Sequence, residues 1–215
     1  MDSISYRDTP LQVEYFTSGD PITEKHFHIL QKAEQELGCP VTLSLVLNVL
    51  KEDRLFSVSE SFELAKKLAD HLNITLPIIL CLDTKEKVSQ HLRTADIVIR
   101  RQENDLNSSS PYIQNMAQNY NVLDFPEKIK WISNEHPEES TSGRLKALVF
   151  VSFRHPQENI RKICHEKALQ LTPAFMITAI EKKMRENPDK TFFLSTSPDL
   201  PEYLEDIKKV ANATL

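Results

Sequence analysis

Glycine is scarce: the chain has 3 in 215 residues, where average usage of about 7% would give about 15. A function that lines a phosphate loop with several glycines therefore starts at a disadvantage. Cysteine is also sparse, with Cys39, Cys81 and Cys164 far apart and without C-x-x-C spacing. That excludes a disulfide framework and a zinc ribbon and fits a reducing compartment. No basic excess is present, because 26 Lys and Arg stand against 31 Asp and Glu for a net charge of -5. A chain so balanced is a poor tracker of nucleic-acid phosphates. No run approaches the ~18 apolar residues of a membrane span, and MDSISYRDTPLQVEYF lacks the basic and apolar regions of a secretory signal. The expectation is a cytoplasmic protein without a membrane span. N-x-S/T matches at Asn73, Asn107 and Asn212 then carry no glycan, since glycosylation needs a secreted context.

What is present is an ordinary globular composition, 40% hydrophobic and 27% charged, enough to bury a core. Asp20-Pro21 predicts a helix start ahead of Ile22, Ile29, Leu30, Ala33 and Leu37, with Gly38 as its stop. Alternation of Val41, Leu43, Leu45, Leu47 and Val49 with Thr42, Ser44 and Asn48 predicts a strand over 41–50. Ser57 and Glu60 form a capping box before the helical face of Phe62, Ala65, Leu68, Ala69 and Leu72. The runs TLPIILCL and ADIVI read as strands buried on both faces, with a helix around Val88 and Leu92 between them.

The polar stretch HPEESTSGR, 136–144, reads as a linker. Beyond it LKALVFVSF, 145–153, reads as a buried strand, Thr172-Pro173 opens a helix carrying Met176, Ile177, Ile180 and Met184, and Asn187-Pro188 ends it. TFFLS, 191–195, reads as a strand, and a last helix starts near Pro201. The expected architecture is α/β, with parallel sheets and flanking helices in two small Rossmann-like lobes, 1–140 and 141–215.

Parallel sheets take ligands beyond the carboxyl ends of their strands. On this reading Arg154 and His155 leave a strand end as a diphosphate clamp, or as a solvated loop in which Arg154 pairs with Glu158 or Glu166. Ser195, Thr196 and Ser197 either donate to an anion or cap the next helix. His26 and His28, two apart, point to different helix faces and read as surface histidines, so no metal site is expected.

LVFVSFRHPQEN, with LTPAFMITAIEKKMRENPDKTFFLSTSPDLPEYLEDI, resembles the nucleotide-sugar lobe of the fucosyltransferase-like GT-B glycosyltransferases. In that family a strand ends in H-x-R-R-x-D, and a later one in F-F-L-A-T-D-x-P. DRLFSVSESFELAKKL is similar to the family's G-G-L-G-N-R-L loop and following helix. The family's His falls on Ser152, its two Arg on Arg154 and His155, and its Asp on Gln157; its loop glycines fall on Leu50 and Glu52, while Arg54, Leu55 and Thr196 are kept and its second acidic residue falls on Ser197. The resemblance implies an acceptor lobe carrying Arg54 and a lobe that binds a GDP-sugar, GDP-fucose first, through Arg154, His155, Ser195, Thr196 and Ser197. It implies no metal and no cofactor beyond the donor. No catalytic base carries over, and Glu158 is the nearest carboxylate to the Arg154 loop. A non-catalytic binding module on the same scaffold is the alternative.

Overall fold

The computed structural model describes residues 10–50, 54–75, 78–101, 107–133 and 142–188. They form an α/β fold around one five-stranded, wholly parallel sheet. In chain order come β1 (Val13–Thr17), α1 (Glu24–Leu37), β2 (Thr42–Val46), α2 (Val58–His71), β3 (Ile79–Leu82), α3 (Lys85–Thr94), β4 (Ile97–Arg101), α4 (Pro111–Tyr120) and β5 (Ile129–Ile132). Three helices follow, α5 (Ser142–Arg154), α6 (Glu158–Leu171) and α7 (Ala174–Glu186). The strand order is β3-β2-β1-β4-β5, so the chain winds outward from β1 in one direction and then returns to its other side. This is the Rossmann-like arrangement.

Both faces of the sheet are buried, which is why its strands read as near-continuous apolar runs. On one face Val13, Tyr15, Leu43, Leu45 and Ile99 pack with Phe27, Leu30 and Ala33 of α1 and Ala65 and Leu68 of α2. On the other, Phe16, Val46, Leu82 and Val98 pack with Val88 and Leu92 of α3 and Ile113, Met116 and Tyr120 of α4. A separate core joins Leu145, Leu148 and Val149 of α5, Ile160 and Cys164 of α6 and Ile177 and Ile180 of α7 with Leu55 and Phe56. Burial holds the Cys164 thiol above its ordinary pKa, which keeps it protonated and poorly nucleophilic.

The predicted strand over 41–50 exists as Thr42–Val46. It ends there because the Asn48 side chain accepts the Leu50 amide at 3.0 Å, turning the chain out of the ladder. The Ser57–Glu60 capping box is present, with the Glu60 amide on Ser57 Oγ at 3.2 Å and the Ser57 amide on Glu60 Oε2 at 2.9 Å. Pro173 caps α7, which buries Met176, Ile177, Ile180 and Met184.

Two element expectations are corrected. The first helix starts at Glu24 with Thr23 as its cap, because the Asp20 carboxylate is spent on the Leu55 and Phe56 amides and is not available to helix amides. The expected strand over 145–153 is helix α5. Its residues Leu145–Val149 are buried in succession, Leu145, Leu148 and Val149 against α6, α7 and the 55–56 segment and Lys146 against Asp20, and burial on all sides removes the helical period by which such a segment is recognised. All strands among the described residues lie on the amino-terminal side of residue 133, and residues 142–188 contribute helices alone. The expected lobe boundary near Thr141, the strand TFFLS and the closing helix lie outside the described residues.

Candidate functional site at the carboxyl edge of the sheet

The strand order reverses at β1, with β2 on one side and β4 on the other. Successive connections there leave toward opposite faces, and open α/β sheets bind ligands beyond the carboxyl ends of their strands at such a point. The loop after β1 contains Ser18, Gly19 and Asp20. Gly19 has φ +52°, and a Cβ on it would lie 2.7 Å from Leu45 Cδ2. One of the three glycines thus sits where the backbone turns left-handed against β2. At the start of α1, His26 Nδ1 accepts the Thr23 amide at 3.0 Å; that nitrogen must be unprotonated to accept.

Charged groups gather around this edge. Asp20 is buried, accepts Leu55 N at 3.0 Å and Phe56 N at 2.9 Å on Oδ1, and has Lys146 Nζ of α5 at 3.4 Å from Oδ2. Arg54 donates Nη1 to the Val46 carbonyl at 2.8 Å, Nη2 to Ser18 at 3.1 Å and Nε to Phe56 at 3.0 Å. It therefore ties the ends of β1 and β2 together. Burial lowers the Arg54 pKa from its ordinary value, and the field of Asp20 opposes that fall. Arg100, in β4, donates Nη1 to the Phe16 carbonyl at 3.2 Å. Among the described residues neither Arg54 nor Arg100 makes an ion pair.

Tyr120 supports the opposite wall. Its hydroxyl donates to the Leu47 carbonyl and accepts the Val49 amide at 3.2 Å, while Asn48 Nδ2 donates to the Tyr112 hydroxyl at 3.1 Å. Burial raises the Tyr120 pKa above 10.0, against the pull of the Val49 amide and of Arg54 and Arg100. Both guanidiniums act in the same direction on this phenol. Among the described residues, the charged groups traced to this edge are Arg54, Arg100 and Lys146 with the Asp20 carboxylate.

Of the residues expected from sequence, only Arg54 belongs to this cluster. Arg154 is exposed at the end of α5, where Nη1 donates to the Pro188 carbonyl at 2.8 Å and Nη2 to Met184 at 3.4 Å, and its guanidinium lies 5.2 Å from the Phe150 ring centroid. It terminates a helix, and its Nη groups close the end of α7. His155 Nδ1 accepts the Gln157 amide at 3.2 Å, and Glu158 is the exposed first residue of α6. Ser195, Thr196 and Ser197 lie outside the described residues. Asp20, Arg100 and Lys146 were missed. An available signal was VEYFT followed by Ser-Gly-Asp-Pro, a β-rich run before a turn, which marks a first strand and its loop.

Among the described residues no three His, Cys, Asp or Glu side chains gather as a metal site, and no helix is long and apolar enough to cross a membrane. No protein-family model matches the chain, and no curated protein does.

Proposed function

We propose that this chain binds a nucleotide through its phosphates beyond the carboxyl ends of β1 and β4. The narrower form of the reading, which the fucosyltransferase-like resemblance implies, is a GDP-sugar, with GDP-fucose first. The observation that carries the proposal is that, among the described residues, Arg54, Arg100 and Lys146 outnumber Asp20 at the reversal of strand order. Lys146 is matched by Asp20, whereas Arg54 and Arg100 are held by backbone carbonyls, and a phosphate arriving beside them would add charge-assisted hydrogen bonds. Gly19 lets backbone pass close to β2, as the glycines of dinucleotide-binding turns do.

Calorimetry at low salt with GDP, and with ADP and CDP for comparison, tests the reading. Arg100→Ala is expected to weaken the preferred nucleotide at least tenfold, the scale of a charge-assisted hydrogen bond of roughly 1.5–3 kcal/mol. Arg154→Ala is expected to leave it unchanged. The reverse pattern would return the site to the Arg154 loop, and no heat from any nucleotide at millimolar concentration would defeat the proposal. Transfer or slow hydrolysis of GDP-fucose would assign a glycosyltransferase, whereas GDP binding without turnover would assign the non-catalytic module.

A further inference from the structure

The carboxylate of Asp20 is in an awkward place for a phosphate site. It is 1% exposed and holds the Leu55 and Phe56 amides in position, so the fold requires an acceptor there. As a carboxylate within the field of Arg54, it also opposes any anion that approaches that guanidinium. Lys146, 3% exposed and 126 residues away in sequence, reaches it from α5 with Nζ 3.4 Å from Oδ2. Lys146 has no other hydrogen-bond acceptor among the described residues. An ammonium with three donors and one long contact is poorly used as a structural hydrogen-bonding group. What it supplies is charge.

We propose that Lys146 is a positioning residue that acts through Asp20, cancelling its charge so that an anionic ligand can settle beside Arg54. Helix α5 then belongs to the phosphate site without touching the phosphate. Ser142 Oγ, one helical turn earlier, donates to the Pro21 carbonyl at 2.7 Å, so α5 grips the loop after β1 at two successive points. The 54–56 segment completes the connection. Its Arg54 guanidinium holds the Ser18 carbonyl, its amides hold Asp20, and its Leu55 and Phe56 side chains enter the core of α5, α6 and α7. This inference rests on the reading of this edge as a phosphate site.

The test is calorimetry on the full chain with inorganic pyrophosphate and with GDP, using variants whose folding is checked by circular dichroism. Lys146→Met leaves the carboxylate unopposed and is expected to weaken both probes roughly tenfold, from Coulomb repulsion across several ångströms at an intermediate dielectric. Asp20→Asn keeps an acceptor for the two amides, leaves Lys146 unopposed, and is expected to tighten pyrophosphate about threefold or more. The double variant Asp20→Asn with Lys146→Met is expected to return to about the wild-type affinity, since both charges are gone. A purely structural role predicts the double variant to be as weak as Lys146→Met, and that result overturns the proposal. So does a Lys146→Met protein that binds like wild type. If Lys146→Met does not fold, Asp20→Asn decides: tighter binding supports the proposal, and unchanged or weaker binding overturns it. Wild-type protein that binds neither probe defeats the phosphate site itself, and the role of Lys146 falls with it.

Discussion

Strand β1 carries one buried carboxylate near its amino end and is followed by another, each 1% exposed, and the two are held in opposite ways. Glu14, at the amino end, is closed in by Ser44 Oγ at 2.5 Å, Gln12 Nε2 at 2.6 Å and His91 Nδ1 at 2.9 Å. Short contacts from mostly neutral donors satisfy its oxygens locally, and nothing is left over for a ligand. Asp20, beyond the carboxyl end, takes two backbone amides and one long contact from a lysine, with Arg54 also in its field. The difference teaches where function can sit. One end of the sheet is a closed hydrogen-bond network, and at the other, among the described residues, cations outnumber carboxylates where parallel sheets bind ligands.

The largest expected effect would break this contrast at its centre. Lys146→Met should destabilise the protein by about 3–5 kcal/mol in urea unfolding, because it strands a buried carboxylate. His91→Gln should cost only about 1 kcal/mol, since Ser44 and Gln12 still donate to Glu14. Equal losses would mean that the two carboxylates are held alike.

Glycine substitutions sharpen the comparison. Gly19→Ala meets both a φ of +52° and the Leu45 contact, and should cost roughly 2–3 kcal/mol. Gly38 caps α1 at φ +66° with nothing within 4 Å of a Cβ, so Gly38→Ala should cost only about 1 kcal/mol. Thermal unfolding should rank them in that order if close packing at the carboxyl edge adds to backbone strain.

Tyr120→Phe should cost roughly 1–3 kcal/mol, because the Leu47 carbonyl and the Val49 amide lose their shared partner. The phenol's pKa is raised on folding by burial, so its contribution is complete below pH 10 and is lost as pH rises through the folded value. An alkaline decline in wild type that Tyr120→Phe lacks is the expected readout in pH-dependent unfolding.

The smallest effect lies at the join of α7 to α2, where Lys183 Nζ is 2.6 Å from Glu60 Oε1. The pair is partly exposed, so less than about 1 kcal/mol is expected. Burial acts to raise the Glu60 pKa, but hydrogen bonds from Lys183 and Ser57 outweigh it and hold the carboxyl below 4.5. A depressed carboxyl adds stability above its ordinary value, and that stability is lost as pH falls below about 4.5. Glu60→Gln should therefore flatten the acid limb of the unfolding curve slightly, and an unchanged limb would show the pair to be thermodynamically silent.

The legible parts of the chain were those whose cause is local. Ser57 and Glu60 satisfy each other's backbone across three residues, Pro173 presets the first turn of α7, and ADIVI announces a strand by its apolar run. Helix α6 was legible in principle, because Ile160, Cys164 and Ala168 recur at four-residue spacing. Helix α5 was not, since an apolar segment buried on all sides has no period to read. Reading 145–153 as a strand puts Arg154 at a strand end, whereas as a helix the segment ends on Arg154 and puts Lys146 beside Asp20.

Composition and local pattern alone determined the α/β class, the parallel sheet and the positions of its best-capped helices, because hydrogen bonds within a turn and side-chain periodicity are written in neighbouring residues. Tertiary structure alone decided where β1 lies in the sheet, and so which strand ends diverge. It also brought Lys146 to Asp20, Arg54 to the ends of β1 and β2, and Arg100 to the Phe16 carbonyl of β1. Electrostatic energy depends on distance in space, and a lysine 126 residues from its carboxylate has no local signature of that partnership.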